Sequence, residues 1–580
     1  MSHTPNYDAK VKAILDATKP GERVCALTGE KWVMDEREIG WYRKLNVTPS
    51  PLAPRTRTCH VYAYSNGVQW WWNKHTENGK QLLTYVHPVT PYKIIPDLEW
   101  HARDFSDRGM VYDATRSVLD HIHQLLLTVP LPASRNLVQP ENSVSMVSLG
   151  DQDSYFTTGS KSKRTLFATT AVEVEDSMLV YHSRFVTNSY SVVHSRNIHN
   201  STYVRESNDC SNSTFLFDCR NCEFCYGATN QRNKNYLWMN EQLTQQEWEK
   251  RRAEIDFSCR STFEEQFSLF HALMLQETVW PENFNEKVQG DTSGEYLHDC
   301  IGCRDCYFVE GAKNVERCSF TLNTLSENCY CCHGIVGAAD SYQSLTIKNG
   351  QAIYFSSQII DSRDVEYSLN CFSCEHCFGC VGIRNKKFHL FNKPYSEADY
   401  WKELDRVKCQ MLEEGTYGSF FPISWTYIYP PESGLGLYLS LKQDEVDRIG
   451  APMFDPNTNG AMGEAMNGQV ALATSEIPDC IDVMPIKEWT GKLFQDTTVN
   501  RRFTFLKPEL EYYREHHLFP PNTHFIARMK KLIRSAQANR FEMTTCQKCH
   551  KEIQVAVNAE SPERKIYCRA CYLTYLEQHG

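Results

Sequence analysis

The sequence predicts a mainly β protein with helical insertions, in which a duplicated short-coil β-solenoid is flanked by ribbon-like terminal domains. Three observations predict this fold: a repeat of twelve residues within 187–222, a cysteine motif that recurs 152 residues later, and two Cys-x2-Cys motifs at the C-terminus. A chain of 580 residues is long enough to form several hydrophobic cores.

The twelve-residue repeat consists of TNSYSVVHSRNI, HNSTYVRESNDC and SNSTFLFDCRNC, which align without gaps. Turn-forming columns alternate with β-branched or aromatic columns, as expected for stacked β-coils. Coils of twelve residues, stacked about 4.8 Å apart, enclose only small side chains such as Cys, Ser and Val. The pattern also allows 24-residue coils made of two units, and a looser form recurs at 306–380. The main columns are Asn188, Asn200 and Asn212; Ser195, Ser207 and Cys219; and Ile198, Cys210 and Cys222.

The duplicated motif begins with Cys222-Glu-Phe-Cys225 in one copy and Cys374-Glu-His-Cys377 in the other. Each copy continues through Arg-Asn-Lys into a segment with helical composition, and Ser396 followed by Asp399 resembles a helix-capping box. We therefore predict two solenoids of common origin.

A fainter duplication relates the two ends of the chain at an offset of 471 residues. The segment that starts at Glu38 corresponds to the one that starts at Glu509. The same offset places His75, Asn78, Asp97 and Trp100 opposite the C-terminal cysteines. The N-terminal copy is thus predicted to keep the ribbon shape without metal ligands, with Trp70, Trp71 and Trp72 filling its core.

The chain therefore divides into seven predicted regions. They are an N-terminal helix or arm (1–20), a degenerate ribbon-like domain (21–135), the first solenoid (140–242), a helical insertion (243–295), the second solenoid (296–400), a loop-rich connector (401–485), and a helix with a C-terminal ribbon (486–580).

The C-terminal motifs predict one structural zinc ion. Cys546 and Cys549 are separated by 18 residues from Cys568 and Cys571, which is the spacing of a zinc ribbon or treble clef. Four thiolates complete a tetrahedron and leave no open position for water, so such a site stabilises its domain and does not catalyse.

The cysteine runs within the repeats have a second interpretation. Cys371-x2-Cys374-x2-Cys377-x2-Cys380 and Cys300-x2-Cys303-x2-Cys306 resemble iron–sulfur spacings, but the final gap is short and no proline follows. Because the repeat columns exchange Cys with Ser and Ile, packed thiols are the favoured interpretation.

Several of these strings together resemble a known family. The string from Cys377 to Phe388, the following Phe-Asn-Lys-Pro-Tyr-Ser, and the terminal cysteine pairs are similar to cysteine-rich zinc-ribbon proteins abundant in Candidate Phyla Radiation bacteria (Patescibacteria). The resemblance implies ribbons at both ends with cysteine-punctuated repeats between them. It implies no activity.

Composition limits location and partners. The polar N-terminus and the lack of long apolar runs predict a cytoplasmic protein without a membrane partner. The net charge is −10, yet residues 501–580 carry 14 Lys and Arg against 8 Glu. A basic tail on an acidic body indicates an anionic partner. The candidate phosphate-binding residues are Arg528, Lys530, Lys531, Arg534, Lys548, Lys551, Arg232, Lys234, Arg384 and Lys386.

The predicted function is that of a non-catalytic zinc-binding scaffold that binds RNA or a ribonucleoprotein such as the ribosome. No nucleotide-binding loop, serine-hydrolase elbow or zinc-protease motif is present, and no small-molecule substrate is indicated. Two alternatives stay open: a structural protein that assembles into homo-oligomers, and a scaffold that recognises other proteins.

Overall fold

The protein is described here from a computed structural model that covers residues 2–321, 326–456 and 469–580. The fold is mixed α/β, with many strands arranged in parallel sheets. Helices are therefore more prominent than the mainly β class predicted from the sequence. The predicted connector (401–485) and the looser repeat (306–380) each lie partly outside the described residues.

The N-terminal region contains two antiparallel hairpins, each followed by helices. Helix α1 packs against the protein body, because the backbone N–H of Tyr7 donates to the Asp405 carboxylate at 2.8 Å. The elements are α1 (Pro5–Ala17), β1 (Gly21–Val24), β2 (Lys31–Met34), α2 (Glu36–Leu45), α3 (Pro54–Tyr62), β3 (Trp71–Lys74), β4 (Gln81–Thr84), β5 (Ile94–Ile95), α4 (Asp97–His101), α5 (Val118–Thr128) and β6 (Leu131–Pro132).

The first stack spans residues 144–242 and contains two sheets, between which successive strands alternate from Tyr155 to Phe217. Strands pair in parallel with a register of twelve residues, as in Met178 with Tyr190 and Arg184 with Arg196. This register excludes the 24-residue unit. The strands are β7 (Val144–Met146), β8 (Tyr155–Thr158), β9 (Lys161–Lys163), β10 (Leu166–Thr169), β11 (Val172–Glu175), β12 (Met178–Tyr181), β13 (Arg184–Thr187), β14 (Tyr190–Val193), β15 (Arg196–His199), β16 (Thr202–Arg205), β17 (Asn208–Ser211), β18 (Thr214–Phe217), β19 (Tyr226–Thr229), β20 (Leu237–Trp238) and β21 (Glu241–Gln242).

Within each twelve-residue unit the backbone turns every three residues. Between residues 164 and 239 every third residue has a positive φ, including bulky ones such as Phe167, Leu179 and Tyr203 at 56°, 58° and 59°. Side chains other than Gly and Asn rarely adopt this conformation. Each unit therefore has four corners and places four side chains in the interior.

Serine hydroxyls bond successive units together inside the first stack. The Ser189 N–H donates to Ser177 Oγ, Ser201 N–H to Ser189 Oγ, and Ser213 N–H to Ser201 Oγ, at 3.1–3.2 Å. Each hydroxyl in turn donates to the carbonyl two residues earlier, as Ser201 does to His199 at 2.8 Å. Because every hydroxyl both accepts and donates, the small polar interior is satisfied without water.

We expect Ser201→Ala to destabilise the protein by about 1–3 kcal/mol, because it leaves the buried N–H of Ser213 without an acceptor. Urea denaturation of wild type and variant measures this difference. Ser201→Cys is the matched control and should cost less, since a thiol accepts a backbone N–H elsewhere in the fold, at Cys380 from Asn392 (3.5 Å). A Ser201→Ala variant as stable as wild type would contradict this role.

Two helices and a short strand follow the first stack, in the region predicted as a helical insertion. They are α6 (Gln245–Ala253), α7 (Arg260–Gln276) and β22 (Val279–Pro281). Thr244 and Glu247 form a reciprocal capping box that begins α6. Cys259, at the start of α7, forms a disulfide with Cys480, so these two cysteines depart from the expected use of cysteines as ligands or buried thiols.

The second stack spans residues 294–394 and repeats the architecture of the first. Leu345 pairs with Ser357 and Arg363 with Glu375, again twelve residues apart. Its strands are β23 (Gly294–His298), β24 (Cys306–Glu310), β25 (Ser319–Thr321), β26 (His333–Val336), β27 (Leu345–Lys348), β28 (Gln351–Tyr354), β29 (Ser357–Ile360), β30 (Arg363–Glu366), β31 (Leu369–Phe372), β32 (Glu375–Phe378), β33 (Lys387–Leu390) and β34 (Lys393–Pro394).

The described residues between the second stack and the C-terminal hairpin form helices, irregular segments and one small sheet of three strands. Ser396 Oγ accepts the Asp399 N–H and begins the first helix, which confirms the N-cap; the Asp399 carboxylate accepts the Ser396 hydroxyl and not its N–H, so the capping box is incomplete. Within the region predicted as a helix with a C-terminal ribbon, α13 is amphipathic and buries Ile526, Met529, Leu532 and Ile533. The elements are α8 (Glu397–Glu414), α9 (Gly434–Leu437), α10 (Gln443–Arg448), β35 (Leu472–Ala473), α11 (Ile486–Trp489), β36 (Phe494–Asp496), β37 (Arg501–Phe503), α12 (Lys507–Glu515), α13 (Phe525–Arg534), β38 (Gln537–Thr545), β39 (Glu552–Asn558), β40 (Lys565–Tyr567) and α14 (Arg569–His579).

The motif repeated at an offset of 152 residues closes the C-terminal end of each stack. In both copies the last parallel strand turns back into an antiparallel partner, β20 with β21 and β33 with β34. Asn240 and Asn392, both at positive φ, accept backbone N–H groups of the preceding unit. Helices α6 and α8 then bury Trp248 and Tyr400 against each end. These caps cover strands that would otherwise expose unpaired backbone groups.

No helix within residues 2–321, 326–456 and 469–580 combines the length and apolar character needed to cross a membrane.

Candidate metal centre and basic surface

The four C-terminal cysteines converge, as the sequence predicts. Their sulfur atoms all lie within 4.8 Å of one another, and the Cys549 and Cys568 sulfurs are 3.7 Å apart. Four sulfurs bound at ~2.3 Å to one tetrahedral ion lie about 3.8 Å apart. The donor set and its spacing therefore fit a metal ion with four thiolate ligands.

Two tight turns position these sulfurs. Cys546 follows β38 in a turn where its N–H donates to the Lys551 carbonyl at 2.8 Å and His550 adopts φ 61°. Cys568 precedes α14 as its N-cap residue, which places Cys571 in the first helical turn. The Gln547 N–H donates to Ile566 at 3.0 Å and holds the two turns together.

The environment of Cys546 favours its thiolate. Burial raises the pKa of this thiol, but backbone N–H groups of Cys568, Cys549 and Lys548 outweigh burial and lower the pKa to about 6. A thiol that ionises near neutral pH is a suitable metal ligand.

We call the turn from Cys546 to Lys551 a knuckle. The same turn occurs at two further places in the chain. His75 N–H donates to Lys80 at 2.9 Å, and Cys25 N–H donates to Glu30 at 2.8 Å. In both turns a glycine at positive φ, Gly79 or Gly29, occupies the position of His550. The sequence predicted the turn at His75; the turn at Cys25 was missed, because a single cysteine there gives no ligand spacing.

A network of hydrogen bonds and ion pairs takes the place of metal ligands in the second knuckle. His75 Nε2 lies 2.8 Å from the Glu99 carboxylate, which also pairs with Arg103. Glu99, and not Trp100, is therefore the counterpart of Cys571, which corrects the predicted alignment by one residue. The Thr76 N–H donates to the Ile94 carbonyl, as the Gln547 N–H donates to the Ile566 carbonyl. The segment between the two bonded residues is one residue shorter in the N-terminal copy, which shifts the later counterparts by one. Asp97 instead accepts the N–H groups of residues 134–136.

The first knuckle keeps one cysteine and two hydroxyls. Cys25 Sγ lies 3.5 Å from Thr56 Oγ1, at the start of α3. Burial raises the pKa of Cys25, but hydrogen bonds with Thr28 and Thr56 and with backbone N–H groups lower it to about 7. The three knuckles thus have the same backbone conformation, and only the C-terminal one has four thiols.

The cysteine runs of the stacks form no comparable centre. Within the described residues, the other group of potential ligands that approach closely is Cys259, Asp479 and Cys480, whose two cysteines form the disulfide. The sulfurs of Cys371, Cys374 and Cys377 lie inside the stack and donate to carbonyls two residues earlier, at 3.4–3.5 Å. This geometry is that of packed thiols.

Arg528 is held in a structural cluster, with 10% of its side chain exposed, and its guanidinium is taken up by other groups of the chain. Its guanidinium bonds to Glu509 at 2.8 Å and to the Tyr513 hydroxyl at 2.5 Å. An equivalent cluster at the N-terminal end joins Arg57, Glu38 and Tyr42. The three residues of the N-terminal cluster each lie 471 positions before their counterparts in the C-terminal cluster. In both copies the Glu-x3-Tyr motif therefore binds an arginine.

Arg232 and Arg384, equivalent in the two caps, anchor the ribbon helices to the stacks. Arg232 pairs with buried Asp218 at 3.0 Å, and Asp218 also accepts the Tyr572 hydroxyl of α14. Arg384 bonds to His101 and lies 4.4 Å above the Trp100 ring of the N-terminal ribbon. The guanidinium groups of both arginines contact other residues of the chain. We therefore remove them from the set of candidate phosphate-binding residues.

Of the remaining predicted cations, two form ion pairs with carboxylates and five do not, among the described residues. Lys386 pairs with Asp104 at 2.6 Å and Arg534 with Glu560 at 3.6 Å. The others, Lys234, Lys530, Lys531, Lys548 and Lys551, form no ion pair with a described residue. Lys531, Lys548 and Lys551 are exposed; Lys234 and Lys530 are half-buried.

A cation and an aromatic ring that the sequence analysis did not select complete the surface at the C-terminal knuckle. The ammonium groups of Lys548 and Lys565 lie 5.9 and 5.4 Å from the centre of the Tyr567 ring. We define the knuckle face as Lys548, Lys551, Lys565 and Tyr567. Its lysines have no carboxylate partner in the part of the chain that the structure describes.

Comparison with protein-family models and with curated proteins finds no match to this chain.

Proposed function

We propose that the chain is a non-catalytic zinc-binding scaffold built on two β-solenoids, and that it binds RNA or a ribonucleoprotein through the knuckle face. The observation that carries the proposal is the set of unpaired lysines around Tyr567, beside the four-cysteine centre. Lysines contact phosphates, and a half-buried aromatic ring offers a surface on which an unpaired base stacks.

Zinc is the metal that this ligand set favours. Four thiolates in a tetrahedral arrangement are typical of structural zinc sites, which leave no position for substrate. The proposal of a non-catalytic protein follows from that closed coordination. A bound ion would be held by Cys546 and Cys549, between β38 and β39, and by Cys568 and Cys571, at the start of α14, and would join these elements.

The solenoid interpretation rests on the twelve-residue register of both stacks and on their interior side chains. Parallel strands in two sheets, joined by three-residue steps, describe a continuous coil around a packed interior. Such a scaffold is rigid along its axis. It presents the ribbon at a fixed position, because β40 pairs with β22 and Tyr572 binds Asp218 of the first stack.

Filter binding of an unstructured poly-U oligonucleotide tests the RNA proposal. We expect affinity to fall as salt rises from about 50 to about 200 mM, because phosphate binding releases counterions. The double variant Lys548→Ala/Lys551→Ala should lower the slope of log affinity against log salt by about 1.4, since each phosphate contact to a single strand contributes ~0.7.

The double variant Lys12→Ala/Lys19→Ala is the matched control, because it removes the same charge from exposed positions in the N-terminal region. It should leave the salt slope at the wild-type value. Affinity that does not respond to salt, or equal slopes for the two double variants, would contradict binding through the knuckle face.

The alternatives have less support. Assembly through stacked solenoid ends is disfavoured at the C-terminal ends, where the two caps cover the last strands. Recognition of a protein partner has no specific observation in its favour. Membership of the Patescibacterial zinc-ribbon family and a cytoplasmic location are retained as parts of the proposal.

A further inference from the structure

A cleft with a volume of about 360 Å³ crosses three successive units of the first stack. This volume lies within the range of small-molecule sites, about 300–1,000 Å³. The cleft is separate from the metal centre. Its floor contains Asn188, Asn200 and Asn212, one from each unit.

The floor of the cleft is a ladder of uncharged polar groups. Asn188 Nδ2 donates to Asn200 Oδ1 at 3.0 Å, and Asn200 Nδ2 donates to Asn212 Oδ1 at 2.7 Å. These bonds fix the orientation of each amide. Because each residue belongs to a successive unit, the amides repeat roughly every 4.8 Å, close to the length of one pyranose ring along an extended glycan.

The floor retains hydrogen-bonding capacity for a ligand. Each amide nitrogen carries two protons: Asn188 and Asn200 use one within the ladder, and Asn212 uses one on the Glu223 carboxylate at 3.1 Å, where the ladder ends. Thr202 and Thr214, twelve residues apart on neighbouring strands, have hydroxyls without a side-chain hydrogen bond to any described residue. A hydroxyl both donates and accepts, as the hydroxyls of a sugar do.

Aromatic rings form two opposite walls. On one side Phe224 and Trp248 of the cap lie 5.7 Å apart between ring centres. On the other side Tyr512 and His516 of α12 and its C-terminal end stack at 4.1 Å, and the Tyr512 hydroxyl donates to the Ser189 carbonyl. Trp248 and Tyr512 are buried, at 8% and 7% exposure, and support the half-buried rings of Phe224 and His516, which are the aromatic surface that borders the cleft.

The cleft carries little charge. Burial lowers the pKa of His516, with Glu515 and Asp176 opposing, so its ring is neutral at neutral pH. Arg252 is the one lining residue with a permanent charge, and its guanidinium already donates to the Ile255 carbonyl at 2.7 Å. Phosphate-rich ligands need several free cations, which this cleft does not offer.

We infer that this cleft binds a short, uncharged oligosaccharide, which lies along the Asn ladder between the aromatic walls. Amides and hydroxyls on the floor bond to the sugar hydroxyls, while the apolar faces of the sugar rings pack against Phe224 and His516, the half-buried rings of the two walls. The inference is independent of the knuckle face and of the metal.

Titration calorimetry and saturation-transfer NMR with cellotetraose, chitotetraose and maltotetraose test the inference on the full-length protein. At least one of them should bind with a Kd of about 1 mM or tighter. The double variant Thr202→Val/Thr214→Val keeps side-chain shape and removes both hydroxyls. It should weaken binding by about tenfold.

Thr187→Val is the matched control, because Thr187 is on the same stack outside the cleft and bonds to His199. It should bind the sugar with wild-type affinity. Absence of binding by all three oligosaccharides overturns the inference, as does equal binding by the double variant. Binding of poly-U or of an extended peptide in the cleft, in place of a sugar, also overturns it.

Discussion

Replacing Cys568 with Ser should release the metal and unfold the C-terminal ribbon. The site has four protein ligands that converge within 4.8 Å, and a serine hydroxyl is a poor substitute for a thiolate. Structural zinc in small domains contributes roughly 10–16 kcal/mol of apparent binding free energy at neutral pH, and that energy is also folding energy. The loss therefore exceeds what the small apolar core of this ribbon can replace.

The measurement combines elemental analysis with limited proteolysis. Zinc should fall from about one ion per chain to none, and residues 537–580 should become susceptible to cleavage. Cys409→Ser is the matched control, because Cys409 is a half-buried thiol on α8 outside the centre. It should retain the metal and resist protease. A Cys568→Ser protein with wild-type zinc content would contradict the assignment.

Removing the carboxylate of either Glu–Tyr–Arg cluster should strongly destabilise the fold. Arg57 is fully buried and bonds to Glu38 at 2.7 Å, and Arg528 bonds in the same way to Glu509. Glu38→Ala or Glu509→Ala leaves a buried guanidinium without its counter-ion. We expect a loss of about 3–5 kcal/mol for each variant.

Urea denaturation followed by fluorescence measures these changes. Glu173→Ala is the control, because the Glu173 pair with Lys161 is on the surface, with both side chains about half exposed; surface pairs contribute little. Its unfolding midpoint should match wild type. Glu38→Ala and Glu509→Ala variants with wild-type midpoints would contradict the structural role of the clusters and would return Arg528 to the set of candidate binding residues.

The twelve-residue register was predictable because side chains in equivalent columns must fit the same interior. The columns of Asn188 and Ser195 repeat the residues that turns and a narrow core require. The three-residue step was not predictable. Some of its left-handed corners are occupied by Asn, as in the Asn188 column, but others are occupied by Phe215 and Leu179, residue types that give no signal of positive φ.

The metal centre was predictable from spacing alone, since two Cys-x2-Cys turns fix the geometry locally. The basic surface was not, because the partner of a charged residue depends on the tertiary fold. Arg232 meets Tyr572, 340 residues away, through Asp218. A sequence shows where a cation is in the chain but not which carboxylate it contacts.

The duplications at offsets of 152 and 471 residues are explained together by how the ribbons pack on the stacks. The N-terminal ribbon packs on the second stack through Trp100 and Arg384, and the C-terminal ribbon packs on the first stack through Tyr572 and Arg232. Each half of the protein thus combines a ribbon and a stack that are distant in the chain. The one-residue difference between the ribbons explains why sequence alignment alone displaced the counterparts of Cys568 and Cys571.

X-ray absorption spectroscopy at the zinc edge of natively purified protein tests the central claim most directly. The account predicts one zinc ion per chain, with four sulfur neighbours at ~2.3 Å and no nitrogen or oxygen ligand. Protein without metal, or a zinc ion with a mixed or open coordination shell, would contradict it.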